Sequence, residues 1–476
     1  MPINRMPVKT QNGPSSQNPS PDKPGAFKSL WYSGLHTLGT NLIATPLLVV
    51  CGIILARSLG PSGKGSYDLV IATTTLLEVL LDFSLPIGVV YVIARGDAAP
   101  GPLAQRLMLL APCQGLAAAV LLFIVQHTAY STALLPPHME GQAIMAIAIS
   151  LTFTVMSAYW RAILMGLQEI IKVNRLDLIN RVLFFGMLVT AIGVSAIRQS
   201  RASAVVFIWI HVASLVLTSL ILLHALYPAL SQGKTGIRRT GLRELTAFAL
   251  PCYLANFSQF LNYRLDVFMV SFFVGIEGVG LYALAVNLAQ VIWLISQAAA
   301  RVLLPKIAAS QEAASENAAG TAQITRFTLW VSFALALVLS LCAHFMLPLI
   351  YGLAFRRSII PFLWLLPGVV AFGMVNVLSS YIAGIGQPRV NFLISLAGLL
   401  VTLSLDLLLI PRFGITGAAI ASTVSYSTSA ALTTGFFTRE AGINLRHILL
   451  ITPEDVGLAV SIFHALRRRV RFKAAD

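Results

Sequence analysis

Twelve long apolar stretches dominate the sequence and decide what it can fold into. Each is close to or above the roughly 20 residues that a helix needs to cross a bilayer core about 30 Å thick. Only 11% of the 476 residues are charged and 57% are hydrophobic, which argues against a water-soluble fold. The predicted spans cover approximately residues 30–56, 67–94, 103–126, 142–167, 178–197, 203–228, 245–273, 280–304, 327–350, 358–383, 390–410 and 415–437.

The connections between these spans are too short to fold as separate soluble domains. We therefore predict an all-α integral membrane protein of about twelve transmembrane helices. The predicted parts, in order, are a disordered tail, a six-helix lobe, a basic linker, a second six-helix lobe and a basic tail, over residues 1–28, 29–229, 230–243, 244–438 and 439–476. The four cysteines fall inside apolar spans without motif spacing, so neither a cofactor nor a metal site is expected.

Most of the net charge of +15 reports the orientation of the chain in the membrane. Of the 33 Lys and Arg residues, 24 fall on the side that holds both predicted tails, seven fall on the other side, and Arg161 and Arg264 lie within spans. By the positive-inside rule, both termini are expected in the cytoplasm, with the protein in the cytoplasmic (inner) membrane. No aromatic and basic patch on a soluble fold suggests a nucleic-acid partner.

The C-terminal tail carries the densest basic cluster, at residues 467–473. Thr452 and Pro453 precede it and are typical of a helix start. The pattern predicts a helix over residues 453–470 on the membrane surface. Its charges either contact anionic lipid or only fix the orientation, and both readings stay open.

An internal repeat relates the two halves of the chain. A constant offset of 215 residues places the first member of each pair on the second: Gly60 and Gly275, Gly63 and Gly278, Gly65 and Gly280, Tyr67 and Tyr282, Asn41 and Asn256. Because this offset spans six helices, both copies run in the same direction, as in transporters whose two lobes alternate access. The six glycines are expected to form tight turns that need positive φ.

Several segments resemble one family of membrane transporters. They are residues 54–61, 65–67, 264–266, 278–285, 303–305 and 410–419. The chain is similar over residues 30–438 to polysaccharide-transport proteins of the multidrug/oligosaccharidyl-lipid/polysaccharide exporter superfamily, which include the Wzx-type flippases of O-antigen and capsule repeat units. The resemblance implies two lobes around a central cavity. It also implies flipping of an undecaprenyl-pyrophosphate-linked oligosaccharide to the outer leaflet for lipopolysaccharide or other surface polysaccharide, and it leaves the sugar open.

Charged residues inside the spans are candidates for the substrate site because each is costly in lipid and normally faces a cavity or a partner. Arg264 lies near the predicted midplane, and Arg161 lies about 10 Å from the cytoplasmic end of its span. A guanidinium is always charged and binds phosphate oxygens bidentately, so these two arginines are expected to hold the pyrophosphate.

Carboxylates in the spans are candidates for ion coupling. Glu78, Asp82 and Asp266 are expected either to pair with the two arginines in the empty state or to bind the H⁺ or Na⁺ that drives transport. An alternative is that the ion pairs only hold helices together. Asp406, near the outer end of span eleven, is expected to be solvated.

Two other functions compete with the flippase hypothesis. A cation-coupled drug exporter of the same superfamily would use Asp266 and Glu78 as coupling carboxylates, although Arg161 and Arg264 disfavour a cationic substrate. A membrane enzyme is disfavoured because the sequence offers no nucleophile with a base and no large external loop. Other polysaccharide-assembly membrane proteins are conceivable partners.

Overall fold

The computed structural model describes residues 24–199, 203–231, 242–309 and 314–450, and within these ranges the chain is helical without a β-strand. Two 3₁₀ turns, Gln290–Ile292 and Leu353–Ser358, separate longer helices. The helices are α1 (Pro24–Leu81), α2 (Leu85–Ala94), α3 (Pro100–Val125), α4 (Ser131–Leu134), α5 (Glu140–Gly166), α6 (Ile170–Ile197), α7 (Ala204–Ser231), α8 (Leu242–Phe273), α9 (Ile276–Ala289), α10 (Trp293–Ala309), α11 (Ala314–Tyr351), α12 (Ile359–Gly384), α13 (Pro388–Phe413), α14 (Ile415–Ala441) and α15 (Arg446–Leu449).

The described helices correspond in order to the twelve predicted spans, which confirms the predicted fold class. α1 supplies the first span and most of the second because its backbone leaves the helical region at Gly60, where φ is 65°. The second span continues after a break into α2, and α9, the 3₁₀ turn and α10 together form the eighth. In the described part of the chain, nine helical segments are long and apolar enough to cross a membrane by length and composition alone.

The spans divide into two lobes of six, with α1–α7 in the first and α8–α14 in the second. A large apolar core lies among α1, α3, α5, α6 and α7, where Tyr159 and Trp160 are fully buried. A second core lies within the other lobe, and Ala56 and Leu69 of α1 belong to it. The outward half of α1 therefore packs against both lobes.

The helix bundle has two opposite ends, which we call the termini face and the turn face. The termini face is where α1 begins and α14 ends, and the turn face carries Gly60 and Gly275. Both glycines have positive φ, 65° and 95°, as the predicted turns require.

The exact domain boundaries stay predictions. Most of the predicted linker and the predicted surface helix over 453–470 lie outside the described residues, and α1 begins at Pro24, within the segment assigned to the tail.

Four of the six repeat glycines are not turn residues, which corrects the expectation for them. Gly63, Gly65, Gly278 and Gly280 lie in helices without positive φ. A Cβ on Gly65 would overlap the Ile276 carbonyl oxygen, and one on Gly280 would overlap the Pro61 carbonyl oxygen. The repeat places these two glycines where α1 and α9 cross, so that the two lobes touch backbone to backbone near the turn face.

Arg57 makes a second contact between the lobes near the turn face. Its Nε donates a hydrogen bond to the Ile350 carbonyl at 2.7 Å, and its Nη2 donates to the Leu349 carbonyl. These carbonyls belong to the last turn of α11, where a helix has no amide partners of its own. Arg57 of the first lobe thus caps a helix of the second.

A third contact joins the lobes towards the termini face. The break between α1 and α2 packs on α8, where Asn256 Nδ2 donates to Ser84 Oγ at 3.2 Å and Tyr253 OH donates to the Leu80 carbonyl at 3.3 Å. Asn256 is one of the residues that the repeat pairs, and it bonds between helices as a polar group in a membrane is expected to do.

Candidate functional site

Arg264 is the predicted site residue whose side chain makes the fewest contacts with described polar groups. It lies on α8, nine residues before the helix ends at Phe273, or about 14 Å from the turn face at 1.5 Å per residue. Its side chain is partly buried, and it makes neither an ion pair nor a hydrogen bond with any residue that the structure describes. It does interact electrostatically with Asp68 of the first lobe and Asp266 of the second. The guanidinium is therefore placed between the lobes, and its donors are unpaired among the residues that the structure describes.

The expected pairing of Arg264 with Asp266 is absent from the described part of the chain, and helix geometry gives the reason. Side chains two positions apart on a helix point in different directions and do not face each other. Asp68 is no substitute partner, because Lys64 Nζ bonds to both oxygens of its carboxylate.

Lys64 falls between the first two predicted spans, where the sequence predicts a connection, yet it lies within α1 and is only 5% exposed.

Arg161 has a different environment and a partner that the sequence analysis missed. Its Nε donates to Asp177 Oδ1 on α6 at 2.9 Å, and the two side chains are 29% and 39% exposed. Asp177 was overlooked because it falls one residue before the predicted fifth span. Arg161 also interacts electrostatically with Glu78, whose carboxylate makes no hydrogen bond within the described residues. Both arginines are thus near carboxylates, but only Arg161 is bonded to one.

Asp82 lies in the break between α1 and α2, although the predicted second span, residues 67–94, would place it four residues after Glu78 on one continuous helix. α1 ends at Leu81, and Phe83 and Ser84 have positive φ. Asp82 Oδ1 accepts the Ser84 amide at 2.7 Å, and the next helix starts with a proline in its first turn. The Asp82 carboxylate therefore stabilises the break between the two helices, because it accepts the Ser84 amide, which has no helical hydrogen-bond partner.

Asp266 is the hydrogen-bonded carboxylate of a buried site in the second lobe. It is 2% exposed. Its Oδ1 accepts the Val267 amide at 2.8 Å, and its Oδ2 accepts the hydroxyl of Ser422 at 3.1 Å and the phenol of Tyr282. Three donors from α8, α9 and α14 therefore converge on one carboxylate.

The prediction that Asp406 is solvated is wrong. Its side chain is fully buried, and neither carboxylate oxygen has a hydrogen-bond partner in the described structure. Asp406 also interacts electrostatically with Asp266. Position near the end of a span suggested water, but α8 and α14 both pack against α13 and cover it. Two carboxylates are thus close together inside one lobe.

Polar side chains extend this buried site along the helices. Asn262 Oδ1 accepts hydroxyls from Thr402 at 3.2 Å and Ser425 at 3.3 Å. Asn262 and Thr402 each precede a carboxylate by four residues, a spacing that puts them on the same helix face. That spacing was the sequence signal that could have found them.

The chemistry of the buried site suits a small cation. Hard cations prefer carboxylate, carbonyl and hydroxyl oxygens, which are the groups present here. Within the described residues no three His, Cys, Asp or Glu side chains group as ligands for a metal ion. The internal repeat places Cys51 at the position of Asp266, so the first lobe does not duplicate this carboxylate.

Comparisons with family models identify two related families. The model described as polysaccharide biosynthesis protein matches residues 30–311. The model described as lipid II flippase MurJ matches residues 181–467. No curated protein matches the sequence.

Solved structures share the fold at low sequence identity. A lipid II flippase MurJ in an inward closed conformation is 11% identical, with a TM-score of 0.71 over 90% of this chain and 92% of that one. A multidrug resistance MATE family transporter of the MOP superfamily, inward-facing, is 14% identical, with a TM-score of 0.67 over 86% and 98%. A MOP superfamily transporter from Pyrococcus furiosus is 12% identical, with a TM-score of 0.58 over 86% and 94%.

Proposed function

This chain belongs to the polysaccharide biosynthesis protein family, and we propose from that premise that it flips a polyprenyl-pyrophosphate-linked oligosaccharide across the cytoplasmic membrane for surface polysaccharide synthesis. It is a flippase-like transporter of the MOP superfamily and not an enzyme. The two lobes would open in turn to the two faces of the membrane.

The free guanidinium of Arg264 is the observation that supports an anionic substrate most strongly. An arginine inside a membrane is expensive unless a partner or water satisfies it. Lys64 already satisfies Asp68, and Tyr282 and Ser422 satisfy Asp266, so the donors of Arg264 remain available. A pyrophosphate would supply the missing acceptors in bidentate geometry.

Arg161 is the second phosphate contact in this proposal. Asp177 accepts a hydrogen bond from its Nε, while its two terminal nitrogens, which have no hydrogen-bond partner among the described residues, would bind a ligand. Glu78 adds negative charge nearby and would disfavour an anion there until it is neutralised. Asp82 is bound to its backbone break and would act by positioning that break.

A cation bound at Asp266 and Asp406 would drive the cycle. Burial makes a pair of charged carboxylates unfavourable, so uptake of H⁺ or Na⁺ is favoured. We propose this site as the coupling site, with the termini face in the cytoplasm as the excess of Lys and Arg there indicates. The basic residues after Leu450 would contact anionic lipid on that face.

The second candidate is a cation-coupled drug exporter. The likeness to a multidrug resistance transporter and the buried carboxylates favour it. A cationic drug would be repelled by Arg264, which lies between the lobes without an ion-pair partner in the described part of the chain. The flippase is therefore the better-supported function.

Deletion of the gene and complementation with variants test the proposal. The measurements are surface polysaccharide and the lipid-linked intermediate that accumulates in the inner leaflet. Deletion is expected to abolish the first and raise the second. Arg264→Ala should fail to complement at unchanged protein level, while Arg412→Ala, an exposed arginine of the same lobe, should complement. Normal polysaccharide with new drug sensitivity after deletion would favour the exporter instead.

A further inference from the structure

The seam between α13 and α14 contains an unusual set of buried polar atoms. Among the described residues, ten buried side-chain nitrogen or oxygen atoms lack a hydrogen-bond partner, and six of them lie on these two helices. Each unsatisfied buried group costs about 1–3 kcal/mol, so six together demand an explanation. They belong to Asn391, Ser395, Asp406, Ser429 and Thr434.

Helix geometry aligns the members of this set that belong to α13 along one face, while Thr434 lies five positions from Ser429 and on another face of α14. On α13, residues 391, 395, 398, 402 and 406 follow one another at spacings of three or four and therefore share a face. The set extends about 22 Å along the helix axis, from the first turn of α13 to Asp406. Seven residues separate Asp406 from the turn face, so the seam leads from the termini face to the buried carboxylates.

Contacts across the seam fix which residues of α14 face it. Ser425 Oγ donates to the Gly398 carbonyl at 2.8 Å. A Cβ on Gly398 would lie 2.6 Å from Ser429 Oγ and 3.1 Å from Asn262 Nδ2. The two helices are antiparallel, and Ser429, 1% exposed, therefore lies level with the middle of the polar face of α13.

We infer that this seam is a hydrated path through the second lobe, along which water and a small cation, H₃O⁺ or Na⁺, pass between the termini face and the Asp266–Asp406 site. Polar, buried and unpaired groups are those that internal water satisfies, with two to four hydrogen bonds per molecule. In lipid no other partner is available to them. The inference deepens the proposed cation coupling and rests on it for the use of the path, whereas hydration of the path can be tested separately.

Cysteine accessibility in membranes tests the path without measuring transport. The background is the full-length protein with Cys51, Cys113, Cys252 and Cys342 replaced by serine. Ser429→Cys and Ser395→Cys each place a thiol in the seam, and Ag⁺ is the probe because it is small, hydrophilic and thiol-reactive. Remaining thiols are counted with a fluorescent maleimide after denaturation.

Ala336→Cys is the matched control, since Ala336 is 6% exposed, lies in the apolar core of the same lobe and is about as far from the turn face as Ser429. In vesicles that expose the termini face, Ag⁺ should block both seam cysteines at least about tenfold faster than the control, because the apolar core excludes water. Excess Na⁺ should slow the block if Na⁺ enters the path, and leave it unchanged if only protons do.

Equal rates at the seam and control positions in a folded protein would overturn the hydrated path. Thr402→Cys, on the same face of α13 and 1% exposed, provides a third seam position should one serine variant fail to insert. Fast modification of the seam cysteines by Ag⁺, in a protein that does not transport lipid-linked oligosaccharide, would support the path and overturn the proposed function. The failure of one proposal is therefore distinguishable from the failure of the other.

Discussion

Gly65 and Gly280 face each other across the two lobes, and each lacks the Cβ that would collide with the backbone of the other helix. The offset of 215 residues makes them equivalent positions of the internal repeat. A Cβ on either one would overlap a carbonyl oxygen of the opposite segment, from Ile276 or Pro61. The repeat thus builds a contact between its own two copies, as small residues do at close crossings of membrane helices.

Gly65→Ala and Gly280→Ala should each prevent the lobes from closing at the turn face. Overpacking costs about 1–3 kcal/mol, and backbone atoms cannot move aside as a flexible side chain can. Surface polysaccharide should fall strongly in each variant at unchanged protein level. Gly63→Ala is the control, because its Cβ would meet only the Leu59 side chain, at 3.1 Å. Full activity of Gly65→Ala would show that the close crossing is dispensable.

Arg57→Ala should weaken the same closure by a different route. It removes two charge-assisted hydrogen bonds to the last turn of α11 and leaves the Leu349 and Ile350 carbonyls without their cap. We expect cysteines introduced on the inner side of this contact to become more accessible from the turn face. Arg57→Lys, which keeps the charge but not the fork of donors, should be intermediate. Unchanged accessibility in Arg57→Ala would contradict a role for this cap in closure.

Arg264→Ala should reduce flipping by at least about tenfold, since a hydrogen bond to a charged group contributes about 1.5–3 kcal/mol. Arg264→Lys should retain part of the activity because the charge remains while bidentate binding is lost. The measurement is flipping of a fluorescent lipid-linked oligosaccharide in proteoliposomes. Variants as active as the wild type would remove Arg264 from the substrate site.

Asp406→Asn should abolish stabilisation by the coupling ion. If Na⁺ binds at Asp266 and Asp406, the melting temperature of the purified protein should rise with NaCl relative to choline chloride, because a ligand of the native state stabilises it. The rise should disappear in Asp406→Asn. Tyr282→Phe, which removes one donor to Asp266, should lower stability without removing the response to Na⁺. A response that persists in Asp406→Asn would exclude this residue from the site.

The sequence predicted the spans well and the site only in part, and the difference has a physical cause. Apolar length alone identifies a membrane helix, so α3 and α13 were found within a few residues of their observed ends. The environment of a polar residue depends on which helix covers it. Asp406 was assigned to water for that reason, and Lys64 to a connection, although both are buried.

The internal repeat likewise predicts positions along the chain but not the contacts between them. It located the glycines correctly and predicted the turns at Gly60 and Gly275. It could not show that Gly65 and Gly280 meet, because an offset relates positions along the chain and not their contacts in space. Asp177 was missed since it lies just outside a predicted span, where a charge is unremarkable.

Variants of Arg161 and Asp177 can distinguish a structural role of Arg161 from a role in binding pyrophosphate. Both side chains are about one-third exposed, and such a pair contributes at most about 1 kcal/mol to stability. Asp177→Asn should therefore leave the protein folded and free the whole Arg161 guanidinium. If Arg161 binds pyrophosphate, Arg161→Ala should lose activity while Asp177→Asn keeps most of it.

The exchange of the two residues completes this test. In the double variant Arg161→Asp with Asp177→Arg, the ion pair can form again, but the cation now comes from α6 instead of α5. A structural pair would be restored by the exchange, and flipping in proteoliposomes would return towards the wild-type rate. A phosphate contact requires the guanidinium on α5, so the exchange should leave the transporter inactive, as Arg161→Ala does.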